Sequence, residues 1–480
     1  MPRMNYRGSE MRAALAALPD VDAWGDGAGA GAARGSGSGG PAGDADPIAD
    51  RFARAAWAVV AEPGDRIAGR LRAAFGAQAA LELVEREAPP EEVAELAAAG
   101  GDPELLAGAA WSTAWREALD RWRPRVERRL VDRALAQAAR FRCGIATPAD
   151  PDWPSPVDDL GPHAPVLLWY RGDRALLGVL SAGIAIVGAR AATGYGEHVT
   201  AELAGGVADR GRAVISGAAY GIDGIAHRAA LGGGGLTAAV MAGGLDRFYP
   251  SGHDRLLERV VQRGIALAEV PCGTAPTKWR FLQRNRIIAA LAAATVVVEA
   301  GWRSGSLNTA RHALQLGRPV GVVPGPVTSP ASAGCHRMLR TDPVVCVTTV
   351  EEVLELAPLE VESPHPPGLH GPDLDATRSE TGDPDGAARS DPESVRTRLL
   401  DALSERAART PAQLAVASGL ALDRVRAELG LLELDGRVRE RARGWVRVAQ
   451  DRPTPGAQSP GAQTAARQAP DGHAPDRRAG

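Results

Sequence analysis

From Ile184 onward the chain alternates short, almost wholly apolar runs with longer stretches of helical spacing, a rhythm that few architectures accommodate. The runs are Ile184 to Val187, Ala213 to Ser216, Leu236 to Met241, Ile265 to Glu269, Thr295 to Glu299 and Val320 to Val323. A strand with no polar alternation must be covered on both faces, and strands separated by helices pair in parallel. The expectation is an α/β protein built on a parallel sheet. Its 480 residues, 45% of them hydrophobic, suffice for two to four domains with a sizeable core.

The flanks read differently. Residues 1–48 are expected to be a disordered leader, because Gly25 to Asp44 is nearly all Gly, Ala, Ser and Asp and cannot offset chain entropy. Residues 49–148 read as a small helical accessory domain, with segments at Ala53 to Val60, Arg66 to Phe75, Gln78 to Glu85, Pro90 to Ala99 and Trp111 to Arg140. The sheet core occupies 149–357, a Pro-, Gly- and acid-rich linker 358–391, and a disordered tail 450–480. Between the last two, 392–449 reads as a winged-helix module. Thr410-Pro411 supplies an N-cap and a first helical position, Ser418-Gly419 a stop, Leu422 to Leu434 a second helix, and Arg437 to Val448 a hairpin.

Net charge is only −3, so the chain as a whole is not a polyanion binder. Between Ser181 and Val350, however, 17 basic residues face 10 acidic ones, which makes the middle of the chain the candidate nucleic-acid surface. The four cysteines, 143, 272, 335 and 346, form no CxxC pair and lie near no histidine at zinc-finger spacing. Neither a structural metal nor a disulfide framework is expected, nor any cofactor, and a reducing cytoplasm is the natural location. No apolar run reaches the ~18 residues of a membrane span.

Lys278, the only lysine, opens the run Lys278-Trp279-Arg280-Phe281-Leu282-Gln283-Arg284-Asn285-Arg286, with four cations, two aromatics and no acid. Cations neutralise phosphates and an exposed aromatic stacks a base. Lys278, Arg280, Arg284 and Arg286 are candidates for the electrostatic track and Phe281 for stacking, with Trp279 the candidate core aromatic. Two turns could hold phosphate on backbone amides. Gly188-Ala189-Arg190 follows a strand and leads into a helix, and Ser304-Gly305-Ser306 does the same farther on. At the carboxyl ends of parallel strands both would face one crevice. The first turn is equally compatible with a tight strand–helix connection bearing a solvated Arg190. Ser216-Gly217 begins a third glycine-rich turn that runs to Asp223, with His227 one helical turn on. His227 suits a packing or capping role better than catalysis, and Asn285 and Glu299 are equally readable as structural hydrogen-bonding residues.

Ile186-Val187-Gly188-Ala189-Arg190, Ser216 to Asp223 with Ala226-His227, Gly244-Leu245-Asp246 with Tyr249-Pro250, Arg284 to Ala289, Ser304 to Leu307 and Val323-Pro324-Gly325 occur in an order that resembles the DprA/Smf DNA-processing proteins. The resemblance covers about Ala149 to Leu356 closely and the flanking modules more weakly. It implies an extended Rossmann fold that binds single-stranded DNA, forms a homodimer and loads the RecA recombinase onto strands covered by single-strand-binding protein, without catalysis. By the same resemblance the turn Gly188, Ala189, Arg190 holds phosphate; Ser216, Gly217, Ser304, Gly305 and Ser306 are further phosphate-binding candidates beside the cationic run. Ala189 replaces the family's usual serine, Tyr220 stands where many members have a DNA-contacting lysine, Leu282 replaces a frequent proline and His336 a common asparagine. Two alternatives stand beside this reading. Lysine-decarboxylase-like nucleotide phosphoribohydrolases share a related core, but their turn carries a glutamate that the stretch after Gly301 lacks. A nucleotide-sensing winged-helix regulator would use Arg424 and Arg426 on its recognition helix and would prefer duplex DNA.

Overall fold

A computed structural model describes residues 6–19, 46–99, 109–357 and 392–448. The expected linker, the tail and most of the expected leader lie outside the described residues.

The helical layer comprises α1 (Gly8–Ala16), α2 (Pro47–Val60), α3 (Arg66–Glu85), α4 (Pro90–Ala99), α5 (Ala109–Trp122) and α6 (Arg128–Arg140). Helix α1 corrects the expectation of a wholly disordered leader: Leu15 and Leu18 are buried, and the Tyr6 hydroxyl lies 3.1 Å from Arg128 O and 2.9 Å from Asp132 Oδ1. The stretch Trp111 to Arg140 is two helices, separated by a 3₁₀ turn at Arg123–Arg125, because Pro124 has no N–H to continue the ladder. Trp57, Trp115 and Trp122 meet edge to face at 5.3 and 6.1 Å. The cluster they anchor continues without a break to Trp169, Met241 and Leu257 of the sheet core, so the helical layer and the sheet share apolar packing.

The core then runs β1 (Gly144–Ala146), β2 (Leu168–Gly172), β3 (Ile184–Val187), α7 (Gly194–Asp209), β4 (Val214–Ser216), α8 (Ile222–Gly232), β5 (Thr237–Met241), α9 (Asp254–Arg263), β6 (Ile265–Ala268), α10 (Lys278–Leu291), β7 (Ala294–Val297), α11 (Ser306–Gln315), β8 (Val320–Val322), α12 (Ala333–Thr341), β9 (Val345–Cys346) and α13 (Val350–Glu355). The nine strands lie in the order β1-β2-β6-β5-β4-β3-β7-β8-β9, antiparallel at β1/β2 and β2/β6 and parallel elsewhere. Side chains along β3 alternate between two cores. Ile184 and Ile186 pack in the cluster of Leu203 and Val207 from α7, while Ala185 and Val187 pack in that of Ile287 and Leu307 from α10 and α11. That double burial explains the continuous apolar runs.

The chain winds outward from β3 in one direction through β4, β5 and β6, then restarts at β7 on the other side. Beside β3 lies the topological switch point, where open α/β sheets place their ligands. The C-terminal unit is α14 (Pro392–Ala402), α15 (Pro411–Ser418), α16 (Leu422–Leu434), β10 (Val438–Arg441) and β11 (Gly444–Arg447), a winged helix. Thr410 caps α15 with Pro411 at its first turn, and Gly419 ends it in the left-handed region. Among the described residues no helix is long and apolar enough to cross a membrane.

Candidate nucleic-acid interface

Four adjacent strands each end in a loop that lifts an exposed side chain above the carboxyl edge of the sheet. Tyr249 follows β5, Tyr220 follows β4, Arg190 follows β3 and Trp302 follows β7. Tyr249 is 46% exposed, Tyr220 47% and Trp302 59%. Tyr220 packs edge-on against His253 at 4.9 Å, and the Arg337 guanidinium lies 4.7 Å from the Trp302 ring. Phe281 sits among them half-buried, 5.1 Å from the Arg190 guanidinium and 5.5 Å from Tyr249. Flat rings flanked by arginines offer a base both a stacking surface and a neighbouring charge.

The two turns expected to hold phosphate are partly occupied by protein groups. Asp223, at the start of α8, accepts the backbone N–H of Gly217 at 3.2 Å and of Ala219 at 3.3 Å, together with that of Gly188. An internal carboxylate thus fills the anion position that the sequence reading reserves for phosphate. Burial pushes the Asp223 carboxyl up, against the pull of Arg284 and those amides. Ser216 donates its hydroxyl to Ile186 O at 2.7 Å, and Gly217 O accepts from Arg284 at 2.6 Å. A Cβ on Gly217 would lie 2.2 Å from that guanidinium, so glycine is required there for the arginine to pass. Ser216, Gly217 and the Gly188 amide are therefore corrected to structural roles. Among the described residues the amides of Ala189 and Arg190 meet no protein acceptor, and Arg190 is exposed. In the second turn Ser304 and Ser306 share a 2.7 Å hydroxyl contact, and Gly305, which caps α11, is exposed. Asn285 and Glu299, whose roles the sequence leaves open, make structural hydrogen bonds that frame these turns. Asn285 donates to Gly305 O at 3.3 Å, and Glu299 accepts the Thr193 amide at 3.0 Å and its hydroxyl at 2.5 Å.

The cationic run requires the largest correction. Lys278 is exposed, but Arg280, Arg284 and Arg286 are buried and bound to protein groups. Arg280 pairs with Glu62 and donates to Ala275 O and Ala417 O. Arg284 reaches Gly217 O and Val240 O, and burial lowers its pKa to about 10, an effect opposed by Asp223 and reinforced by Arg190. Arg286 pairs with both oxygens of Glu269 at 2.7 and 2.8 Å. A helix turns 100° per residue, so nine consecutive residues cannot face one way. Helix α10 lies between the sheet, the helical layer and the winged helix, and three of its four cations serve those contacts.

The residues the sequence reading missed are Tyr249, Trp302 and Tyr195, the last 39% exposed in the first turn of α7. A signal was present: the chain has only five tyrosines, and three of them follow strand ends.

His227 fills the packing role expected of it. The Thr237 hydroxyl donates to Val214 O, so it must accept from His227 Nδ1 at 2.7 Å, leaving Nε2 a bare buried acceptor. Burial, with His253, Arg284 and Arg228 nearby, lowers the pKa to about 3. With the folded value below the unfolded one near 6.5, the unfolded chain binds the extra proton at intermediate pH, so stability is lost as pH falls below about 6.5. This residue is expected to contribute a slope of up to about 1.4 kcal/mol per pH unit between pH 6 and 4. Urea denaturation across that range should show a flatter profile for His227→Asn; an unchanged slope would refute the assignment.

Residues 144–358 match the family model described as DNA recombination-mediator protein A, and residues 383–442 match that of the DprA winged helix domain. The Rossmann-like sheet and the appended winged helix are thus those of a DNA-processing recombination mediator. The putative DNA processing protein DprA of Mycobacterium tuberculosis is 43% identical over 326 residues, covering 64% of this chain and 79% of the relative. The chain belongs to the DprA/Smf family. Among solved structures, DprA from Streptococcus pneumoniae is 28% identical with a TM-score of 0.49, covering 65% of this chain and 99% of that one. DNA processing protein A from Helicobacter pylori, described for its unique single-stranded DNA binding mode, is 28% identical with a TM-score of 0.41, covering 45% and 95%.

Proposed function

We propose that this protein binds single-stranded DNA without sequence preference along the carboxyl edge of its sheet and loads RecA recombinase onto strands covered by single-strand-binding protein. The carrying observation is the row of exposed rings and arginines spread over four neighbouring strand ends, in a chain of a recombination-mediator family. Arg190, Lys278, the free amides of Ala189 and Arg190, and the Ser304 to Ser306 turn hold phosphates in this reading, while Phe281 and Tyr249 stack bases. The family resemblance further supports a homodimer that works in the cytoplasm without catalysing a reaction, and a division of labour in which 149–357 holds the strand while 49–148 and 392–449 are accessory.

Fluorescence anisotropy with labelled strands of increasing length, duplex controls and a salt series tests the binding step. Arg190→Ala is expected to make the log–log salt slope shallower by about 0.7, one phosphate contact on a single strand. Phe281→Ala is expected to weaken binding by about 1 to 3 kcal/mol, the worth of one stacked base. Equal affinity for duplex and single strands, or no dependence on length, would reject the interface. RecA strand exchange on template precoated with single-strand-binding protein tests the loading step, and no stimulation would leave DNA binding alone standing.

A further inference from the structure

Two cysteines 129 positions apart meet beneath the junction of the three structural units. Cys143 lies between α6 and β1, where its amide closes onto Ala138 O at 2.8 Å after Arg142 adopts a positive φ of 54°. Cys272 lies on the loop between β6 and α10. Both are free and buried, and their Sγ atoms are 3.7 Å apart. Cys272 also borders a cleft of about 640 Å³ lined by Arg133 of the helical layer, Thr274 of the core and Gln413 of the winged helix. Cys335 lies elsewhere, against Val298 O, and Cys346 is exposed at the sheet edge.

We propose that Cys143 and Cys272 form an oxidation site, a dithiol that a hydroperoxide converts into a reversible intramolecular disulfide. The Cys272 thiol points at Cys143 Sγ at 3.7 Å, and the amides of Leu245 and Asp246 stabilise the thiolate of Cys272 once its proton is lost, while burial holds the Cys143 thiol up. Of the two, Cys272 borders the cleft, and it is the attacking sulfur. Its thiolate displaces alkoxide or hydroxide from the peroxide oxygen, breaking the O–O bond and forming a sulfenic acid. Cys143 then attacks that sulfur, and its proton leaves with the displaced hydroxide as water. Two thiols lose two electrons and two protons, and the peroxide becomes an alcohol, or water, plus water. The bond would fasten the segment entering β1 to the loop that delivers α10, and a thiol reductant would reopen it. The inference rests on the sulfur geometry and is independent of the DNA-binding reading.

The test is stepwise oxidation of the reduced full-length protein with hydrogen peroxide, alkylation, and trypsin digestion without reductant. The expected product joins the peptides Cys143–Arg171 and Gly264–Lys278 with a mass two hydrogens below their sum, and it disappears on treatment with dithiothreitol. In Cys143→Ser, a sulfenic-acid probe should label Cys272; in Cys272→Ser it should leave Cys143 unlabelled. Absence of the joined peptide once exposed Cys346 is fully oxidised would overturn the proposal, as would equal formation in native and urea-unfolded protein. The wild-type measurement depends on no variant folding.

Discussion

Arg286→Ala is expected to destabilise the protein by about 3 to 5 kcal/mol, the cost of leaving one member of a buried ion pair without its partner. Arg286 is 2% exposed and pairs with both carboxylate oxygens of Glu269, whose Oε1 also accepts the Gly64 amide at 3.2 Å. The substitution strands Glu269 and loosens the Glu62 to Asp65 loop that enters α3. Chemical denaturation reads the loss directly. Single-strand affinity, measured where the variant remains folded, should stay close to wild type. A stable variant that bound DNA weakly would put Arg286 back on the interface.

Glu62→Gln is expected to cost a similar ~3 to 5 kcal/mol and to release the winged helix from the core. Glu62 belongs to the helical layer, yet it pairs with Arg125 of the same layer and Arg280 of α10. Those arginines donate in turn to the winged helix, Arg125 to Val416 O at 2.9 Å and Arg280 to Ala417 O at 3.3 Å. Burial alone would push the Glu62 carboxyl up, but Arg280, Arg125 and Arg398 hold it well below the usual carboxylate range. A depressed folded value contributes stability that is complete above the unfolded pKa, near 4.3, and is lost progressively as pH falls from there through the folded one. Docking should therefore persist from neutral pH down to about 4, and Glu62→Gln should undo it at neutrality. Hydrogen exchange is the readout. Amides near Ser418 and Lys278 should exchange faster in the variant while β3 and β4 stay protected, and an unchanged pattern together with unchanged stability would sink the idea.

The sheet was legible because double burial leaves a mark in the sequence: each of β3 to β8 is a short apolar run, and Ile184 to Val187 keeps its expected bounds. Strand β9 escaped because it is two residues, both exposed at the sheet edge, and β1 because Gly144-Ile145-Ala146 holds a single large apolar side chain. Helix α1 escaped because Met11, Leu15 and Leu18, at helical spacing, stand just ahead of a glycine-rich stretch whose composition dominated the reading. The cations of α10 were misread for a different reason. Clustering is local, but burial is decided by partners far along the chain, and Glu62 lies 218 positions from Arg280. The exposed tyrosines were visible in the sequence, yet loops have no periodicity that says which way a ring points.

The row of Tyr249, Tyr220, Arg190 and Trp302 has a kinetic side. In the proposed interface neighbouring strands are about 4.8 Å apart, so three gaps would spread its holds over roughly 14 Å, each weak alone. A strand gripped at several weak points leaves by peeling, one hold at a time from a free end, while the remaining holds keep it at high effective concentration. A second protein taking that end could advance as each hold opens, so the strand would change hands without ever being released into solution.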